Sequence, residues 1–170
     1  CMSCEGTMYD WSAVYFQSVI APPKELIRLG YIACMGTMTL GRFLGDRIIT
    51  RFGTITVIRI SGILIASGLM TAVLLPFLIP ATAGFLLVGF GISSIVPICY
   101  SLAGKSKTMR PGMALAAVST IGFLGFLLGP PVIGFVSQAL SLRWALAVVA
   151  LVGLSATAIA PELRKIHERK

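Results

Sequence analysis

Two carboxylates stand close together near the start of an almost charge-free chain, in the run Glu5-Gly6-Thr7-Met8-Tyr9-Asp10-Trp11. A carboxyl among apolar residues is suited to taking up and releasing a proton, because desolvation favours its neutral form. In a helix, Tyr9 lies about one turn beyond Glu5 and can share its face. Asp10 does not, since the offset from Glu5 rotates it by roughly 140° at 3.6 residues per turn. Glu5 is therefore the candidate for proton coupling or solute binding, with a structural hydrogen bond as its alternative. Asp10, beside Trp11, better suits an interfacial anchor. Ser93, Pro97 and Tyr100 recur at i, i+4 and i+7, and Ser119, Phe123 and Phe126 share another helical face. Either set could line a cavity wall or bond between helices. Cys1 and Cys4 form a C-x-x-C, a spacing used in redox and zinc chemistry, but no second pair or histidine cluster accompanies it. Cys34 and Cys99 read as small hydrophobes, and His167, the only histidine, lies near the end of the chain. No nucleophile–base pair and no phosphate-cradling loop is visible, so neither an enzyme nor a cofactor is expected.

The elements that position these residues follow from composition. Of the 170 residues, 56% are hydrophobic and 12% are charged, against about a quarter charged in soluble domains. The stretches Ile60 to Gly104, Pro111 to Leu142 and Trp144 to Pro161 contain no charged residue. A bilayer-spanning helix needs about 20 apolar residues, so the chain reads as an all-α, polytopic membrane protein. Helices are expected over about 1–20, 26–44, 55–76, 81–102, 113–140 and 142–160, with a polar turn at 45–53 and a tail at 161–170. A backbone in lipid must satisfy its own hydrogen bonds, which requires helices here, since the apolar runs are continuous and do not alternate as barrel strands do. The start at Cys1 reads as lying inside or just before the first helix.

Basic residues orient the bundle. Of the 14 lysines and arginines, all except Lys24, Arg28 and Arg143 fall on one side if every helix crosses once. Those on the favoured side are Arg42, Arg47, Arg51, Arg59, Lys105, Lys107, Arg110, Arg164, Lys165, Arg169 and Lys170. Positive charge marks the cytoplasmic side, which puts the tail there. The net charge of +8 is thus a matter of topology, and no nucleic-acid partner is expected.

Three local patterns go further. In Gly41-Arg42-Phe43-Leu44-Gly45-Asp46-Arg47-Ile48-Ile49-Thr50-Arg51-Phe52-Gly53, small and basic residues mark a short turn between helices, and Asp46 can cap a helix or pair with an arginine. It resembles the cytoplasmic loop motif of the major facilitator superfamily, found between the second and third helices of each six-helix half. The resemblance implies a gating role for Gly41, Arg42, Gly45, Asp46, Arg47, Arg51 and Gly53, with Asp46 and Arg47 latching helix ends. An ordinary positive-inside turn is the alternative. In Gly122 to Gly134, Gly125, Gly129 and Gly134 place small residues along one helix, and Pro130 and Pro131 remove backbone donors. This is similar to the Gly-Pro-rich motif of the superfamily's fifth and eleventh helices, with an extra proline and without the doubled terminal glycine. Packing and hinge roles are equally open. The run from Glu5 to Tyr15 resembles the seventh helix of a bacterial branch distantly related to sugar–proton symporters of the fucose-permease type.

Taken together, the resemblance covers helices seven, truncated, to twelve. It implies one half of a transporter bundle in the cell inner membrane, whose partners are lipid, an N-terminal six-helix half, a small solute and H+. Its first, second, fourth and fifth segments would line the cavity and the third and sixth would pack outside. The alternative from the residues alone is a small non-transporting membrane interaction or scaffold protein, assembling through its glycine-rich faces.

Overall fold

The computed structural model describes residues 1–106 and 109–168, with side chains described through Ala158. Lys107, Arg169 and Lys170 lie outside the described residues, as do the side chains of Arg164, Lys165 and His167. Six helices follow one another without a strand among the described residues. They are α1 (Met2–Tyr15), α2 (Leu29–Phe52), α3 (Thr54–Leu74), α4 (Leu78–Gly104), α5 (Pro111–Ala139) and α6 (Leu142–Glu168). A π-helical turn, Phe16–Ile20, extends α1 and ends at Ala21, whose φ is 48°. The stop is set by Pro22, which disfavours the α region in the residue before it.

Three of the helices, α3, α4 and α5, are long and apolar enough to cross a membrane. On α2, Arg42, Asp46, Arg47 and Arg51 break up the apolar run, and the described apolar part of α6 is Leu142–Ala158.

Two expected boundaries move. The turn expected at 45–53 is helical: α2 continues to Phe52, and the chain reverses at Gly53 alone, with φ 79°. Gly45 does not end the helix because it is buried against α4, with Ser94 Oγ 3.8 Å from where a Cβ would stand. Only Gly53 needs the left-handed backbone that glycine tolerates. Similarly, α6 runs through Pro161 to Glu168, over most of the expected tail. At the other end of α2, Lys24–Leu26 forms a separate 3-10 turn.

Glycine seams build the interior. The buried face of α3 repeats at helical spacing through Ile58, Ser61, Ile65, Leu69 and Ala72, and α4 answers with Ala81, Phe85, Val88, Ile92 and Ile95. At their crossing, a Cβ on Gly84 would collide with the Gly68 carbonyl, and a Cβ on Gly68 with that of Gly84. Gly89 meets the Cys34 carbonyl of α2 in the same way, and Gly62 meets Thr157 of α6. Such close backbone approach supplies much of the association energy between membrane helices.

Ring contacts close the core near the end of α1, with Phe16 5.4 Å and Tyr15 5.9 Å from Phe85 between centroids. The last carbonyls of α3, orphaned by helix geometry, are taken up there too. Tyr15 Oη donates to Ala72 O at 2.6 Å, and Arg143 donates to the carbonyls of Val73 and Leu74.

By contrast, α5 buries only Ala114, Pro130 and Ile133, and leaves Ile121, Leu127 and Phe135 open. An apolar face that broad belongs against lipid or another protein surface.

The α3–α4 crossing sets a prediction. Gly84→Val should cost at least about 1–3 kcal/mol by overpacking, read as a lower unfolding temperature in detergent. Gly36→Ala, where an added Cβ meets nothing within 4 Å, should leave that temperature unchanged or slightly raised.

Candidate functional site

Glu5 is in the first turn of α1, next to Gly6. A Cβ at Gly6 would stand 2.5 Å from the Phe126 carbonyl of α5. That carbonyl has no intrahelical donor, because Pro130, four residues on, carries no N–H. Pro130's own carbonyl accepts from Trp11 Nε1 at 3.0 Å. Ser3 lies over Gly125 and Gly129, and the Trp11 ring lies over Gly134. Gly125, Gly129, Pro130 and Gly134 therefore dock α1 onto α5, which remains helical throughout. This docking fixes the rotation of α1 and turns Glu5 toward α2.

There it meets Arg42, whose Nη2 donates to Glu5 Oε1 at 3.0 Å. The Glu5 side chain is 9% exposed and that of Arg42 46%. Met38, one turn earlier on α2, places its sulfur 3.8 Å from the same nitrogen. Tyr9 packs its ring 6.0 Å from Tyr31 of α2 and 5.9 Å from Phe126 of α5. Tyr31 and Arg42 are about three turns apart and so lie on one face of α2. The result is a charged pair with Tyr9, 39% exposed, in electrostatic reach of both partners, and with Tyr31 and Phe126 packed on Tyr9 rather than on the pair.

Among the described residues Arg42 is the arginine of α2 that forms an ion pair. It lies about 15 Å along the axis from the end of α2, at 1.5 Å per residue, and turns inward. Asp46, Arg47 and Arg51 are exposed on the last two turns. Among the described residues Asp46 makes no ion pair, and Arg51 stacks 5.6 Å from the Phe52 ring. Gly41 serves packing, with a Cβ there meeting Ser93.

Ser93, Pro97 and Tyr100 do not form one wall. Ser93 is buried against Gly41 and donates to Phe90 O at 2.6 Å, while Pro97 is exposed. Tyr100 does line a cavity of about 410 Å³ between α1, α4 and α5, together with Cys1, Ser3, Cys99 and Gly122. Ser119 donates to Leu115 O in its own helix at 2.8 Å, and Phe123 is 61% exposed. Asp10 is exposed, with no partner among the described residues. Cys1 and Cys4 point to different helices, toward the carbonyls of Ile92 and Val149, each at 3.8 Å.

The family model of the Major Facilitator Superfamily matches residues 3–169. The chain belongs to this superfamily. It is similar to an uncharacterised MFS-type transporter of Yersinia pestis, 39% identical over 156 residues, covering 92% of the chain and 41% of the relative. It is also similar to the membrane protein MosC of Rhizobium meliloti, 37% identical over 90% of the chain and 38% of the relative. An uncharacterised transporter of Sinorhizobium fredii is 34% identical over 95% of the chain and 43% of its own length. The chain thus spans about two fifths of the length of these curated relatives. No solved structure matches it. Family and apolar helices together make this a multi-pass membrane protein.

The sequence names Arg42 only as part of the loop motif and not as the partner of Glu5, and it does not single out Tyr31. The signal present was an arginine one turn beyond Met38 and about three turns beyond Tyr31, on a single helical face.

For the pair itself, Arg42→Gln should destabilise more than Glu5→Gln, because it leaves a buried carboxylate without its donor. The double variant should recover part of the loss. A double-mutant cycle on thermal unfolding should give a coupling on the order of 1–2 kcal/mol, and zero coupling would show that the contact carries no energy.

Proposed function

We propose that this chain is the C-terminal six-helix half of a secondary transporter that moves a small solute by alternating access, coupled to protons through Glu5. The observation that carries the reading is the buried Glu5 carboxylate held by Arg42, with the partly exposed Tyr9 close to both. Ionisable groups this far inside a membrane helix bundle are costly and mark solute or proton pathways.

In this reading the carboxylate holds Arg42 by a charged contact. Once protonated it no longer holds the guanidinium by charge, and α2 is released from α1 at this point. The ionisable groups around Glu5 are few. Cys4, Tyr9 and the exposed Asp10 share its helix, and Arg42 and Cys34 face it from α2. From the other helices packed on α1, α5 brings no ionisable side chain, α4 brings Cys99 and Tyr100, and the described part of α6 brings only Arg143, at the other end of α1. Glu5 is the one buried carboxylate among these described residues, which suits it to be the proton carrier.

In this reading the Tyr9 face looks onto the solute path and the open side of α5 meets lipid or the N-terminal half. Asp46, Arg47 and Arg51 stand at the cytoplasmic end of α2, free to pair across to the other half as the bundle closes. The positive-inside distribution supports an inner-membrane orientation with the C-terminus in the cytoplasm. The resemblance of the Glu5–Tyr15 run to the fucose-permease branch supports symport.

In proteoliposomes of the full-length protein, solute uptake driven by an inward proton gradient should fall at least tenfold in Glu5→Gln. Solute exchange at equal pH on both sides should persist. Gradient-driven uptake that survives the substitution unchanged rules out Glu5 as the coupling group.

A further inference from the structure

We infer that Arg42 is the anchor for an anionic solute, and that the transported class is a hydroxylated or ring-bearing organic carboxylate. The inference rests on the reading that the Glu5–Arg42 face lies on the solute path.

Three observations carry it. First, Arg42 is used only in part. Its guanidinium carries five N–H donors in a planar fork, yet only Nη2 is engaged, by a single oxygen of Glu5 and by the Met38 sulfur. Among the described residues, Nε and Nη1 have no acceptor. An arginine–carboxylate pair that serves structure alone gains most from two parallel bonds. This one leaves its remaining donors for a second carboxylate.

Second, exposure is asymmetric. The carboxylate is 9% exposed and the guanidinium 46%, so the charge offered to the open face is positive. An amine approaching from that side meets Arg42 before it can reach Glu5. No charged residue between Ile60 and Gly104, or between Pro111 and Leu142, offers a competing anchor. Tyr9, 39% exposed and in electrostatic reach of Arg42, packs its ring on Tyr31 and Phe126. Such a surface packs a ring or carbon skeleton and hydrogen-bonds a hydroxyl.

Third, the charges balance. The empty site holds one carboxylate and one guanidinium, which sum to zero. With a proton on Glu5 and a solute carboxylate on Arg42, the sum is again zero. Both the empty and the loaded site can therefore close without stranding a net charge away from water, which is expensive. No bond other than the Glu5 O–H is made or broken in this exchange. The expected stoichiometry is one proton per carboxylate, and transport is electroneutral for a monoanion.

The test uses the purified full-length protein in detergent, with gluconate, glucuronate and quinate as probes and glucose, inositol and glucosamine as neutral and cationic counterparts. At least one carboxylate should raise the unfolding temperature by on the order of 5 °C at about 100 times its Kd, and its counterparts should not. The shift should be larger at pH 5.5 than at pH 8 and should vanish in Arg42→Gln. If that variant fails to fold, the Glu5→Gln/Arg42→Gln double variant, which buries no unpaired charge, takes its place, and Arg42→Lys should keep a weakened shift. In Glu5→Gln the carboxylate shift should persist and lose its pH dependence. Stabilisation by glucose, inositol or glucosamine with none by the carboxylates overturns the inference, as does a carboxylate shift that survives loss of Arg42. A shift that depends on Arg42 but not on pH upholds anion recognition and counts against Glu5 as the proton carrier, so the two readings fail separately.

Discussion

Lipid is as apolar as leucine, so helices within a bilayer gain little by hiding side chains from one another. They must find close packing instead, and in this protein they find it where glycine lets backbones touch. Gly68 against Gly84 joins α3 to α4, Gly89 against Cys34 joins α4 to α2, and Gly62 against Thr157 joins α3 to α6. These contacts tie four helices into one block. A separate seam, Gly6 on Phe126 with Ser3 over Gly125 and Gly129, ties α1 to α5. Everything distinctive about the charged pair follows from this division, because Glu5 belongs to one group of helices and Arg42 to the other.

The pair is placed by backbone chemistry that has nothing to do with charge. Pro130 removes a donor and strands the Phe126 carbonyl, and only a glycine at position 6 lets α1 come close enough to cover it. With that contact made and Trp11 bonded to the Pro130 carbonyl, the next residue along α1 has little choice of direction. A carboxylate turned into an apolar bundle needs a cation, and Arg42 reaches it from α2. Two features that read in sequence as unrelated, a proline-kinked glycine motif and a lone acid, are thus parts of one arrangement.

How much of this was legible depended on whether the signal lay within one helix or between two. Continuous uncharged runs fixed the all-α membrane class, since nothing outside those runs was needed to interpret them. Glu5 stood out for the same reason, as an acid in apolar surroundings. Arg42 stood out only as part of the loop motif, because its pairing with Glu5 depends on how α1 packs against α2 and not on any pattern within α2. Gly45 itself was misread as a breaker, when it is small because Ser94 is close. Ser93 and Tyr100 share a stripe in sequence but part company in the fold. Gly41 opposite Ser93 buries it, and no residue on α4 carries that information.

The same division into two groups of helices places the ion pair between them. At the far end of α1, Tyr15 and Phe16 are locked into the block by Phe85 and by the bond to Ala72 O. Glu5 lies about 15 Å away along the same helix, at 1.5 Å per residue. The Glu5 end of α1 is packed into the block too, with Cys4 Sγ on Val149 O of α6 and Met8 in the core, so the charged contact adds to an apolar one there. Two states of the bundle, one with the pair formed and one without, differ at least by this contact. An interaction worth about 1.4 kcal/mol changes the ratio of two such states tenfold, which lies within the range expected for this partly exposed pair. In the proposed coupling, a proton on Glu5 shifts the balance between them without rebuilding the bundle. It has only to remove the one charged contact between α1 and the block.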